Sequence, residues 1–474
     1  MVSTTMHFMP GCEILQSFDL VHWEHVTYVY ETLDHTDAQQ LKSGQNIYGQ
    51  GMWAASLRYH EGRFCICFVA NDTRKTYLYT SEKIDGPWKK QLIEGFYHDG
   101  SLLFDEDGRN YIVYGNDEIW ITELNEDLTA PKKGGLHRLL VSDHKNPELG
   151  YEGSHIQKIN GYYYIFLVHS LRDRWMRTEA CFYSDSLEGE FTGGDVLCDD
   201  RGYCGQGVAQ GGIVDTPDGK WYAMLFQDSG AVGRIPILLP VTWKDHFPFF
   251  GQNGHVPEEI EVHSTRPGYI YQPLVGSDDF CNGLLPRWQF NHDPDPRYYH
   301  LDALQGTYTI TTREVCTELT QAVNTLTQRM SYPSCAAEVT VDASALKEGD
   351  VAGLCALQSC YAAVGITKHH GKYEVLMLDK KEDGILDMTE GTVVESHQMD
   401  FRLEADFCNM KDEARCYYRV NKGDWLPIGT VHKLYFKLDH FTGCRFGLFC
   451  YAAEETGGSA CFRDFKYYDV DEIS

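Results

Sequence analysis

The stretch His98–Gly115, HDGSLLFDEDGRNYIVYG, returns in altered form at Tyr151–Val168 as YEGSHIQKINGYYYIFLV. Each phrase carries an acid followed by glycine and serine, places another glycine nine residues after that acid, and ends in an aromatic run. Looser copies of the second half begin at Gly62 (GRFCICFVA) and Gly219 (GKWYAMLF), so the glycines of successive copies fall 46, 53 and 58 residues apart. Aromatic and β-branched runs bounded by Gly, Asp and Asn read as strands, and helical periodicity is scarce, so the chain is all-β. A repeat of this length accommodates one four-stranded sheet, which is the pattern of a β-propeller. A second element recurs as a turn closing on Trp or Phe: SFDLVHWE (17–24), SEKIDGPW (81–88) and SDSLEGEF (184–191). A β-sandwich with unrelated glycines is the alternative these repeats leave open.

The repeats stop near residue 251. A segment rich in Gly, Pro and charge follows, and we read 263–277 as a linker between a propeller over 1–262 and a second domain over 278–474. The second domain alternates strictly in runs such as SCAAEVTVDAS, HGKYEVLML and CRFGLFCY, as an antiparallel two-layer sandwich does. Its Trp288 and Tyr298 are expected in the core rather than on a binding platform. The 474 residues carry 41 basic and 69 acidic side chains, a formal charge of -28 that repels nucleic acid and anionic membranes. Sixteen cysteines without a C-x-x-C pair argue against zinc and suit a reducing cytoplasm. No apolar run is long enough to span a membrane. A homo-oligomer is allowed but not specified.

Nine residues before the four repeat glycines stand Trp53, Asp99, Glu152 and Gln210. In a propeller these positions open the innermost strands and converge near the axis. Two carboxylates and an indole around one hollow suit glycosidic-bond cleavage: one acid protonates the leaving oxygen, an ionised carboxylate activates water, and the indole stacks on the sugar. Capping of Asp-Gly-Ser turns is the bland alternative for both acids.

The segments GMWAASLRYHEG (51–62), FYHDGSLLFDEDGRNY (96–111), GYEGSHIQKINGYYYIF (150–166), IVDTPDGKWYAM (213–224) and GRIPILLPVTWKDHFPFFG (233–251) resemble, in order, the motifs of family 43 glycoside hydrolases. The resemblance implies a five-bladed propeller and hydrolysis with inversion by three acids. It makes Glu152 the general acid, Asp99 the residue that orients it and raises its pKa, Arg234 the holder of sugar hydroxyls and Trp53 a pocket wall. His7, Phe8 and His155 are expected to line the same pocket. The domain after 278 resembles the lectin-like, concanavalin A-like domain of many family 43 β-xylosidases, in which one loop helps close the pocket. The third acid, the general base, is not found: MVSTTMHFMPGCEILQSFDLVHWE looks like a first blade entered midway, so the base is expected upstream of Met1 and hydrolysis by this chain is expected to be impaired. Asp34 and Asp37 are weak substitutes, since neither occupies the repeat position. No cofactor is required; Gln210 takes the place of a family histidine near a structural calcium ion, either as a calcium ligand or as a buried amide bonding backbone. The expected activity is release of xylose or arabinose from the ends of short oligosaccharides. The alternatives are a degenerate hydrolase that naturally lacks the base, a carbohydrate-binding protein without turnover and an interaction scaffold.

Overall fold

The computed structural model describes residues 1–389, 391–437 and 440–469. Five antiparallel sheets form the propeller. Blade 2 consists of Met52–His60, Arg63–Ala70, Lys75–Ser81 and Lys89–Ile93, paired in that order from the axis outward. Blade 3 (Ser101–Phe104, Asn110–Asn116, Glu118–Leu124, His137–Ser142), blade 4 (Glu152–Ile159, Tyr162–Ser170, Arg177–Ser184, Thr192–Leu197) and blade 5 (Ala209–Asp215, Trp221–Asp228, Arg234–Lys244, Phe247–Phe250) repeat the scheme. The repeated glycines 62, 108, 161 and 219 sit in the hairpins between first and second strands at φ of +80°, +81°, +87° and +79°. Glycine adopts that left-handed turn without the Cβ penalty other residues bear.

Blade 1 has three strands, Val2–Ser3, Gly11–Gln16 and Glu24–Tyr30. Its turn 17–24 lies between the last two, where the equivalent turns of blades 2 and 4 join third and fourth strands. The three strands therefore correspond to the second, third and fourth of the other blades. The segment 263–277 runs along this blade: Thr265 N–H donates to the Phe18 carbonyl (2.7 Å), Phe18 N–H to the Tyr271 hydroxyl (2.8 Å) and Gln272 N–H to Glu24 Oε2 (3.0 Å).

The second domain packs two sheets around an apolar core that includes Trp288, Phe401, Phe446 and Phe462. Trp288 is buried with its Nε1–H donated to Asp278 Oδ2 (2.8 Å), and Tyr298 is half-buried. One sheet reaches into the propeller sequence: Phe8–Met9 pairs with Gln289–Asn291 as an added antiparallel strand. That pairing removes His7 and Phe8 from the pocket where the sequence reading put them. Both are fully buried between the domains, Phe8 under the Arg445 guanidinium (3.7 Å) and His7 against Tyr48, His292 and His440. Among the described residues, helices are limited to short 3-10 turns, and none is long and apolar enough to cross a membrane.

The buried histidines make the domain junction sensitive to acid. Burial, with the neighbouring imidazoles, holds His7 well below its usual range, and burial pushes His292 down to about 3. A base with a lower pKa in the folded chain takes its proton first when unfolded, so this stability is present above 6.5 and is lost as pH falls toward 3. His292 alone accounts for about 2 kcal/mol between pH 6.5 and 5. Urea unfolding at pH 7 and 5 should show a marked drop in midpoint for the natural chain, and a smaller drop for His7→Phe.

Candidate active site

The innermost strands deliver the candidate residues because each begins irregularly. The pairing slips between Met52 and Ala55, between Glu152 and His155, and between Ala209 and Gly212, and bulges of this kind re-aim side chains. Asp99, two residues before its strand, lies at φ +47° and Gln210 at +64°. As a result Asp99 from blade 3 and Glu152 from blade 4 meet, with His98, so that one donor atom from each lies within 4.8 Å of the others. His98 Nε2 is 3.6 Å from Glu152 Oε2 and 3.7 Å from Asp99 Oδ2. The Glu152 carboxylate is oriented by Asn116 Nδ2–H (2.8 Å), and Asp99 Oδ2 accepts the Gly153 N–H (3.1 Å).

The two acids occupy unlike surroundings. Asp99 is 6% exposed, whereas the Glu152 side chain is 18% exposed. Burial pushes the Asp99 carboxyl above its ordinary range and the Glu152 charge adds to this, against the pull of His98, Arg234 and the Gly153 N–H. Burial works against an imidazolium at His98, but Glu152 and Asp99 outweigh it and raise His98. Arg234, at the start of the third strand of blade 5, completes the charged set; burial and the nearby Arg177 bring it down to about 10, against Asp228, Glu152 and Asp99.

The pocket mouth is shared with the second domain. Phe441 meets Trp53 edge to face (centroids 5.5 Å apart, 90°) and lies over the Arg234 guanidinium at 4.3 Å. Its loop is clamped to the propeller: Cys444 N–H donates to the Ala231 carbonyl (2.8 Å), and a Cβ on Gly233 would come within 2.7 Å of Gly443 N. A closing loop from the second domain was implied by the resemblance, but nothing local marks Phe441 as its tip, since the loop acts on another domain. His98 was also overlooked, although it adjoins Asp99 in the opening phrase.

The remaining sequence candidates lie around this centre. His155 is half-buried against Gly212, and burial with the Arg58 charge lowers it to about 3, so it is a neutral imidazole. The Gln210 side chain covers Gly153, and the Gln210 backbone N–H donates to Glu179 Oε2 (2.7 Å). Burial raises the Glu179 carboxyl well above its ordinary range. Calcium prefers six to eight oxygen ligands, several of them ionised; one buried carboxyl already turned to an N–H does not make such a cage. Among the described residues, the metal-capable group is instead His98, Asp99 and Glu152. Asp34 is tied up by Lys75, Lys90 and Tyr77, and Asp37 is exposed beside Lys42, so both are committed outside this cluster.

Paired acids at the axis of a five-bladed propeller, beside an arginine and under an aromatic lid, define a glycoside hydrolase. The family model of glycosyl hydrolases family 43 matches residues 1–248, and that of the beta xylosidase C-terminal concanavalin A-like domain matches 277–468. The chain belongs to glycosyl hydrolase family 43. A beta-xylosidase of Formosa agariphila is 25% identical over 99% of this chain and 85% of that protein. A non-reducing end alpha-L-arabinofuranosidase of Bacteroides ovatus is 22% identical over 82% of this chain and 75% of its own. The solved structure of a bifunctional GH43-CE protein of Bacteroides eggerthii superposes with a TM-score of 0.91 at 41% identity, covering 100% of this chain, which spans 61% of that one. The carbohydrate specificity of the family gives the pocket its ligand class.

Phe441→Ala removes a cation–π contact from Arg234 and an edge contact from Trp53. Calorimetric titration with xylose and arabinose should show affinity weakened roughly three- to thirty-fold, the usual range for a desolvated cation–π contact.

Proposed function

We propose that the chain removes single xylose or arabinose units from the non-reducing ends of short xylo- or arabino-oligosaccharides, with inversion at the anomeric carbon. The meeting of Asp99 and Glu152 beside Arg234, under Phe441, carries this reading. Glu152 is the more exposed acid and is held by Asn116, which suits it to protonate the leaving oxygen. Asp99 behind it orients that acid, and burial holds the Asp99 carboxyl above its ordinary range. The likeness to a beta-xylosidase and to an alpha-L-arabinofuranosidase supports a pentose ligand. A pocket lidded by a second domain favours a chain end over a chain threaded through.

Inversion also needs a base carboxylate about 6.5–9.5 Å from the acid, with water between. Asp99, whose nearest donor atom lies within 4.8 Å of Glu152, is too close for that part. The base belongs by repeat position to an innermost strand of blade 1, which the three strands of that sheet do not include. The short separation of Asp99 and Glu152 favours a second reading, a carbohydrate-binding protein without turnover. The chain's sixteen cysteines suit a reducing, cytoplasmic setting.

Hydrolysis of 4-nitrophenyl β-xyloside and α-arabinofuranoside tests the first reading. Slow release abolished by Glu152→Gln supports it, and a rate indifferent to that change overturns it; sugar binding without release supports the second. Asp99→Asn should likewise abolish release yet raise the melting temperature at pH 7. An acid whose folded pKa is raised above 3.8 loses stability as pH climbs past that value, and the amide is spared this loss.

A further inference from the structure

Behind the pocket, two arginines divide one carboxylate. Asp228, 2% exposed, closes the second strand of blade 5 and faces Arg234 directly across the sheet register. Arg234 Nε lies 3.3 Å from its Oδ1. Arg177, 3% exposed and first in the third strand of blade 4, places Nε 3.1 Å from Oδ2. Both guanidiniums also approach the Phe226 ring, at 5.4 Å for Arg177 and 4.4 Å for Arg234. With Phe441 on its other side, Arg234 is fixed between two aromatic rings.

Arginine and carboxylate prefer a bidentate fork, two parallel N–H···O contacts. A lone Asp228 would take Arg234 that way, turning the guanidinium inward and spending its N–H groups on the strand behind. The structure shows a one-point hold through Nε instead, because Oδ2 faces Arg177. Arg177 Nε and Nη1 are both buried without a hydrogen-bond partner, so Arg177 holds Oδ2 by charge alone, an arrangement that costs stability and that packing alone does not require.

We propose that Arg177 is a positioning residue of the sugar site: by occupying one oxygen of Asp228 it limits that carboxylate to a single contact with Arg234 and leaves the outer edge of the Arg234 guanidinium free for sugar hydroxyls. It deepens the reading of this pocket as a pentose site and rests on it. Arg177 itself does not touch the ligand. Its removal does not orphan Asp228, which still has Arg234.

The test is calorimetric titration of the full chain with xylose and with arabinose, for the natural protein, Arg177→Met, Arg177→Lys and Arg234→Met, with melting temperatures recorded in parallel. The expected result is that Arg177→Met binds at least roughly ten-fold more weakly, the loss of one charge-assisted hydrogen bond, while Arg177→Lys recovers part of the affinity because it keeps a cation on Oδ2. Natural-strength binding by Arg177→Met overturns the inference. So does weakened binding that Lys does not improve at matched melting temperature. Should Arg177→Met fail to fold, Arg177→Lys decides alone: affinity between those of the natural protein and Arg234→Met supports the inference, and affinity equal to either overturns it. Failure of the natural protein to bind either sugar overturns the pentose reading, and this inference with it.

Discussion

Everything at the centre of this molecule depends on irregular strand openings. A regular strand alternates its side chains between two faces, and an innermost strand of that kind would spread its polar groups along the channel. Here bulges at Glu152 and Gln210, and a left-handed residue at Asp99, turn single side chains toward one point. Two acids from adjacent blades thereby share a volume in which both are poorly solvated. The fold carries this arrangement at a cost, seen in an acid driven toward its neutral form and a neighbouring arginine eased toward its own. A carboxyl raised by burial can hold its proton closer to neutral pH, while the arginine beside it stays charged.

The second constraint is the domain junction. Phe8–Met9 leaves the propeller's own pairing and completes an edge of the sandwich sheet. The sandwich in turn sends the Phe441 loop back over the pocket. The two exchanges bracket a buried patch of histidines and Arg445, so the lid is held by the same interface that joins the domains. The pocket is consequently a property of both domains together.

Much of this was legible in the residue order. The glycine beat exposed the blades because each glycine marks a left-handed hairpin position, and counting back nine residues led to Trp53, Asp99, Glu152 and Gln210 at the strand openings. What failed did so for lack of a local signal. His7 and Phe8 read as pocket residues until their strand partner, some 280 residues away, pulled them into the interface. Phe441, Arg177 and Asp228 act through tertiary proximity and carry no motif. His98 stood in plain view beside Asp99, but only the distances to both carboxylates give it a role. Gln210 stands near the opening of the first strand of blade 5, where its side chain meets Gly153 and its backbone N–H meets the buried Glu179 carboxyl.

The central claim is that acids from neighbouring blades face one sugar ring in one hollow. The most direct measurement is a crystal structure of the chain soaked with xylose or arabinose. The account predicts a single pentose whose oxygens reach Glu152 and Arg234, with Asp99 behind the acid and Phe441 over the ring. A pentose bound elsewhere, or carboxyl groups of Asp99 and Glu152 turned apart into solvent, would contradict it.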